Sequence, residues 1–253
     1  MKILITGGNG YVAKSLCRGL IRYNITAITR NDFDLTDKIA TDKWFKGKHF
    51  DVIIHTAVIG GSRLQKDNGD TFYQNIQMFY NLLNNKHCFN KLIHFGSGAE
   101  LEMPTDPYGL SKNVINKIIN QESNFYNIRI FGVFDKDELD TRFIKNCIKC
   151  YINNEPIKIY QNKFMDFFYM EDLIKLIKYY IYKENLPKNI DCTYGKNTSL
   201  LDIAHIVNSL SSHKVEINIG EGKGKNYTGS PILLNIKWIG LKQGIKETYN
   251  KLK

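Results

Sequence analysis

Short apolar runs alternate with amphipathic stretches through the first two-thirds of the chain. Lys2–Thr6 reads as a buried strand, and Tyr11–Arg22 has helical spacing. Thr26–Thr29 and Phe50–His55 read as strands, and Thr71–Leu83 as a helix. Lys91–Phe95 is a further strand, Ser111–Gln121 a helix and Asn127–Phe131 a strand. Strands that alternate with helices build βαβ units, and right-handed crossovers close these into an open, doubly wound parallel sheet. The class is therefore α/β. After Phe134 the pattern changes. Phe143–Tyr151, Asp172–Tyr182 and Leu200–Leu210 have helical spacing, with Ser199 as a candidate cap, while Ile157–Tyr160 is strand-like. No second glycine-rich turn appears there, so this part reads as a small C-terminal cap.

The chain has 253 residues, enough for one large domain or one and a half. Its 35 Lys and Arg against 25 Asp and Glu give a net charge of +10. The lysines are dispersed, with no block of five like charges, so no nucleic-acid partner is expected. A diffuse basic field suits phosphate-bearing small molecules better. The most basic stretch, Lys237–Lys253, reads as a helix with a solvated lysine face. No apolar run approaches the ~18–20 residues of a membrane span. The first residues run straight into a strand, leaving no room for a signal peptide, and five cysteines are too few for a disulfide scaffold. A cytoplasmic protein is expected.

Two clusters carry chemistry. Gly7, Gly8, Asn9 and Gly10, then Tyr11, Val12 and Ala13, lie between the first strand and the first helix. Glycines there permit a tight turn and let the backbone approach a pyrophosphate, which the following helix N-terminus attracts. Twenty positions beyond Gly10, at the end of the second strand, stands Arg30. An arginine there suits the 2′-phosphate of NADP, although Asp32 close by leaves NAD open. The second cluster is Tyr108 and Lys112, four apart on one helix face. An ammonium beside a phenol favours the phenolate, so Tyr108 is suited to pass a proton to or from a carbonyl or alcohol oxygen. Ser97 follows the strand Lys91–Phe95, where its hydroxyl is available to the same oxygen. Cys147 and Cys150 have ligand spacing but no second pair, so no metal is expected. His55, His205 and the Phe167–Tyr169 cluster read as structural, and Asn75 as a group that satisfies backbone.

These motifs resemble the extended short-chain dehydrogenase/reductases, the NAD(P)-dependent epimerases, dehydratases and reductases of nucleotide sugars. The resemblance covers most of the chain and implies a Rossmann-type sheet with a substrate-binding cap. It implies residues 1–155 as the NADP-binding part, with 164–195 returning to it, and 156–253 mostly for substrate. It implies Tyr108 as acid/base, Lys112 on the ribose and Ser97 on the substrate oxygen. Cofactor contacts are expected from Gly7, Asn9, Gly10, Tyr11, Val12, Arg30, Asp34, Leu35, Thr56, Ala57, Val58 and Phe131, besides Tyr108 and Lys112. Substrate contacts are expected from Ser97, Gly98 and Arg142. A homodimer through the helices Thr71–Leu83 and Ser111–Gln121 is usual in the family.

Two positions depart from it. Ser97 and Tyr108 are only 11 residues apart, and Met165 precedes Asp166 where many members carry arginine. The pattern around Arg30, Asp34 and His55–Gly61 is most similar to GDP-fucose synthases, which epimerise and then reduce a 4-keto-6-deoxysugar. Their epimerising cysteine and histidine correspond to Ala99 and, approximately, Arg142. Neither shuttles a proton at neutral pH. The acid pair of the dehydratases corresponds to Gly98 and Ala99, and Glu100 is one place too far along unless the loop slips. The expected activity is therefore C4 reduction of a nucleotide-linked 4-keto-6-deoxysugar with NADPH. A 4-epimerase with the same three residues and a catalytically silent NADP-binding sensor remain open.

Overall fold

A computed structural model describes residues 1–62 and 65–253. In chain order it contains β1 (Lys2–Thr6), α1 (Tyr11–Gly19), β2 (Asn24–Ile28), α2 (Lys38–Phe45), β3 (Phe50–His55) and α3 (Gly69–Asn84). Then come β4 (Phe89–Ser97), α4 (Ala99–Glu102), α5 (Pro107–Ile119), β5 (Phe125–Ile130), β6 (Val133–Phe134) and α6 (Phe143–Ile152). The remainder is β7 (Ile157–Ile159), β8 (Phe168–Tyr169), α7 (Met170–Tyr182), β9 (Asn189–Asp191), α8 (Leu200–Asn208), β10 (Ile217–Ile219) and α9 (Leu241–Leu252).

The chain divides into two compact units. The first comprises 1–129 and 177–190, the second 130–176 and 191–253. Residues 130–155, which the resemblance assigns to the first part, cluster with the second. The reason is the apolar face of α6: Ile144, Cys147, Ile148 and Tyr151 share one buried cluster with Ile203 and Val207 of α8 and Ile245 of α9.

The main sheet runs β2-β1-β3-β4-β5-β9, and β1 pairs in parallel with both β2 and β3. Ile3, Leu4 and Ile5 are fully buried, as a central parallel strand covered on both faces requires. Each such side chain contributes about 1.5–3 kcal/mol over an exposed one. Chain order reverses between β1 and β3, which is the switch point where α/β sheets bind ligands beyond the strand carboxyl ends. The six-stranded dinucleotide order places one more strand outside β2. Here residues 29–49 hold only loops and α2, so β2 is the edge.

The predicted strands and helices of the sheet are all present, with ends shifted by a few residues. Several elements escape the sequence pattern. The helix α2 has weak amphipathicity, is capped by Asp37, which accepts the Ala40 N–H at 3.1 Å, and anchors through buried Thr41 and Phe45. Three-residue β9 follows Pro187 and is too short to show alternation. The expected helix from Lys237 starts only at Leu241. Gly240 has φ +85°, and Asp172 accepts the N–H groups of both Ile239 and Gly240 at 2.9 Å, which fixes an irregular entry. No helix among the described residues is long and apolar enough to cross a membrane.

Candidate active site

The glycine loop forms the turn between β1 and α1. Gly7 adopts φ +70°, and a Cβ there would lie 2.8 Å from the Ala57 Cα, so both conformation and space require glycine. Thr6 ties this loop to the end of β3. Its hydroxyl accepts the Ala57 N–H at 3.1 Å and lies 2.8 Å from His55 Nδ1, and its carbonyl accepts the Thr56 hydroxyl at 2.6 Å. Gly10 is the N-cap of α1, and no side chain caps that end. Ala13 is buried against the sheet. An uncapped N-terminus reached through a positive-φ glycine has the form of an anion cradle, so the dinucleotide pyrophosphate fits here.

Beyond β2, Arg30 is exposed. Asp32 is engaged in a local turn, its carboxylate accepting the Thr29 N–H at 2.8 Å and the Thr29 hydroxyl at 3.0 Å. Asp34 accepts the Thr36 N–H at 2.9 Å, and that contact holds its carboxyl below the usual range, with help from Arg30. Leu35 is buried, and Asn81 of α3 donates to its carbonyl at 2.9 Å. Asn81 is a positioning residue that the sequence pattern hides, because an asparagine inside a helix carries no periodic signal.

Ser97 ends β4, and Tyr108 and Lys112 share the first turns of α5, whose first residue is Pro107. The Lys112 Nζ lies 5.9 Å from the centre of the Tyr108 ring. It donates to the Phe95 carbonyl at 2.6 Å and stands 3.5 Å from His94 Nε2. Lys112 is only 3% exposed, and burial draws its pKa down to about 8 against the opposing pull of Glu100. His55 is drawn down to about 3 and His94 also well below its ordinary value, by burial first and then by Lys112. Both imidazoles are therefore neutral, so His94 is able to accept from the ammonium.

Two further residues shape the surroundings of Tyr108. Gly61 has φ +70°, and a Cβ there would lie 2.7 Å from the phenol Cζ. Its N–H donates to both oxygens of Asp67 at 3.1 Å. Asn75 of α3 accepts the Ile59 N–H and donates to the Ile59 carbonyl, each at 2.9 Å. Its amide also donates to Ser111 Oγ at 3.2 Å, and Ser111 donates to the Tyr108 carbonyl at 2.7 Å. One asparagine thus links the segment after β3 to the start of α5.

After Ser97 the turn offers no exposed proton carrier. Ala99 and Glu100 are each 1% exposed. Glu100 does not slip outward: its carboxylate accepts the Ser97 N–H at 3.0 Å from beneath the turn. Thr56 and Ala57 are half-buried and Val58 is exposed at the end of β3. Phe131 and Arg142 belong to the second unit. Phe131 packs edge-on to Tyr227, and Arg142 is exposed as the N-cap residue of α6. Met165 and Phe167 are buried in the second unit's core, together with Tyr169. His205 is exposed on α8, outside the core. Cys147 is a buried core thiol and Cys150 is partly exposed; both are free, and no group of three potential metal ligands occurs among the described residues.

The model of the NAD-dependent epimerase/dehydratase family matches residues 3–192, and the chain belongs to that family. No curated protein sequence matches it. Among solved structures it is similar to a GDP-mannoheptose C4 reductase from Campylobacter jejuni with NADP bound: 18% identity, TM-score 0.82, over 98% of this chain and 97% of that one. It is similar to a UDP-glucose 4-epimerase of Thermus thermophilus in complex with NAD: 15% identity, TM-score 0.79, over 100% and 99%. A GDP-L-fucose synthetase from Naegleria fowleri bound to NADP has 16% identity and a TM-score of 0.76, over 98% and 91%. At these identities the likeness is one of fold.

Proposed function

We propose that the protein is an NADPH-dependent reductase that converts a nucleotide-linked 4-keto-6-deoxysugar to its alcohol at C4. Bound at the glycine loop, NADPH supplies the hydride. Ser97 and Tyr108 hold the C4 oxygen, and Tyr108 gives it a proton as negative charge develops. Lys112 offers a fixed cation beside the phenol and a third donor for the cofactor ribose, its other two being directed at Phe95 and His94. Asn75 and Ser111 set where α5 begins and so where Tyr108 stands. Arg142 is assigned to the substrate as a cation for a sugar or phosphate oxygen.

The observation that carries the reading is the turn after Ser97. Epimerisation at C3 or C5 and water loss both need a second proton carrier there, and Ala99 and buried Glu100 provide none. Reduction at C4 needs only hydride and one acid. NADP is favoured over NAD because Arg30 is exposed while Asp32 is engaged by Thr29. The reading includes a cytoplasmic homodimer built on α3 and α5. Tyr73 and Tyr80, large and exposed on α3, support that surface.

The test is cofactor oxidation with a panel of GDP-, dTDP- and UDP-linked 4-keto-6-deoxysugars, using NADPH and NADH in parallel. Stoichiometric NADPH oxidation with one sugar is expected. New sugar isomers with no net cofactor change would replace the reductase by a 4-epimerase, for which the same three residues suffice. Cofactor binding without either reaction would leave a sensor.

A further inference from the structure

Two histidines lie buried beside Lys112, and neither belongs to the reacting set. His55 ends β3, His94 stands on β4, and their rings are 5.3 Å apart. Hydrogen bonds fix which nitrogen of each carries the proton. Thr6 is fully buried, and its hydroxyl oxygen accepts the Ala57 N–H at 3.1 Å. Among the described residues His55 Nδ1 is the acceptor which that hydroxyl meets, at 2.8 Å, so the proton of His55 is on Nε2. His94 is the reverse. Its Nε2 faces the Lys112 Nζ at 3.5 Å. An ammonium only donates, so the facing Nε2 is bare and the His94 proton is on Nδ1.

That assignment leaves a buried donor unpaired. His94 Nδ1 has no hydrogen-bond partner among the described residues. Such a group is destabilising, and an apolar ring in the same space would avoid it. Phe79 packs edge-on to the imidazole at 5.7 Å, a contact that another aromatic ring would keep. What the imidazole has and a phenyl ring lacks is Nε2, an uncharged acceptor. The Phe95 carbonyl takes a second Lys112 hydrogen at 2.6 Å. Two fixed acceptors set the direction of the third hydrogen.

We propose that His94 is a positioning residue, held as the Nδ1–H tautomer so that its bare Nε2 aims the Lys112 ammonium at the cofactor ribose and Tyr108. The inference rests on reading Ser97, Tyr108 and Lys112 as the reacting set. An uncharged acceptor holds the ammonium without cancelling the charge that favours the phenolate. The other charged or titratable groups around the pair are His55 from β3, Tyr108 from α5 and Glu100 from α4, itself 3.9 Å from Arg129 of β5.

The first measurement needs no ligand. It is NMR of the full chain with isotope-labelled histidine ring nitrogens, using His94→Gln and His55→Gln to assign the signals. Near pH 7, His94 is expected to carry its proton on Nδ1 and His55 on Nε2. A proton on His94 Nε2 would overturn the proposal. The second measurement follows NADPH affinity, by fluorescence titration, and the alkaline limit of turnover. His94→Phe keeps a ring and loses the acceptor. It should bind NADPH about tenfold more weakly. Its alkaline limit should fall by about one pH unit, because an ammonium with one acceptor fewer gives up its proton sooner. His94→Gln keeps an uncharged acceptor near the Nε2 position and should restore most of both. Should His94→Phe fail to fold, His94→Met, more adaptable in shape, takes its place.

Equal affinity and pH limits in the apolar and Gln variants, with Tyr108→Phe inactive, would overturn the role of His94 and leave the catalytic reading intact. The same equality with Tyr108→Phe still active would overturn both.

Discussion

The two units both bury acids, and they use them differently. In the second unit, Asp172, Asp166 and Asp191 each accept backbone N–H groups from segments that lack regular structure. Asp172 takes Ile239 and Gly240 as well as the Tyr194 hydroxyl, Asp166 takes Gly229, and Asp191 takes Ser230. Glu138 accepts the N–H of Lys145 in the first turn of α6. These carboxylates replace the hydrogen bonds that helix or sheet would otherwise provide. In the first unit a six-stranded sheet satisfies its own backbone, and Glu100 and Lys112 also bond to the end of β4, at the Ser97 N–H and the Phe95 carbonyl. His55, His94, Lys112 and Glu100 gather at the carboxyl end of β3 and β4. The difference teaches where to look for chemistry. The acids of the second unit staple irregular segments, whereas in the first unit buried groups of both signs gather beneath one edge of the sheet.

That contrast sets an order of effects. The largest is expected from Tyr108→Phe, which removes the acid and leaves the fold. Turnover should drop by about 10²–10⁴-fold. NADPH affinity, measured by fluorescence titration, and the unfolding midpoint should stay near wild type. Asp172→Ala addresses the other unit. It strands the Tyr194 hydroxyl and the N–H groups of Ile239 and Gly240, and it removes the partner that Lys175 meets at 3.0 Å. A loss of about 3–5 kcal/mol in urea unfolding is expected. If it lost activity without losing stability, the contrast between the units would break.

Gly61→Ala should act in between. Its φ of +70° and the contact with the phenol ring make any Cβ both strained and displacing. Stability should fall by about 1–2 kcal/mol, and turnover should fall more than cofactor binding does. The smallest effect is a slope. Burial and Asp135 push Glu138 up to about 8, with the Lys145 N–H and Arg142 opposing. In the unfolded chain a glutamate titrates near 4.3. A raised carboxyl contributes its stability in full below that unfolded value and loses it as pH climbs through about 8. Wild type should therefore weaken between pH 5 and pH 8, and Glu138→Gln should weaken less over that range, as followed by thermal denaturation at each pH. An equal slope in both would show that Glu138 is charged at no cost.

Much of the first unit was legible in the sequence. Apolar runs such as Ile3–Ile5 and Val52–Ile54 are strong signals, because a central parallel strand is buried on both faces. The glycine loop and the Tyr108–Lys112 spacing read correctly as strand-turn-helix and one helix face, since both depend on local geometry alone. The second unit was less legible. Its short pairs β6 with β8 and β7 with β10 hold two and three residues per strand, too few for a period to show. Among polar residues, Asn75 reads from the sequence as a group that satisfies backbone, whereas Asn81 became intelligible only when α3 was packed, and Glu100, one place past the dehydratase pair in the sequence, only with Asn127 of β5 beside it.

The sequence alone determined the class of fold and the residue types able to move a proton, because each is written in periodicity or in spacings of a few positions, and its motifs carry the resemblance to the family. Tertiary structure alone decided which acids are buried, that Asp32 is occupied by Thr29, that Gly61 lies on the phenol, and that Glu100 faces inward to Ser97. Those facts join residues distant along the chain, or depend on which way a turn points. Burial and desolvation, which set their charges, arise only when the strands and helices have closed around them.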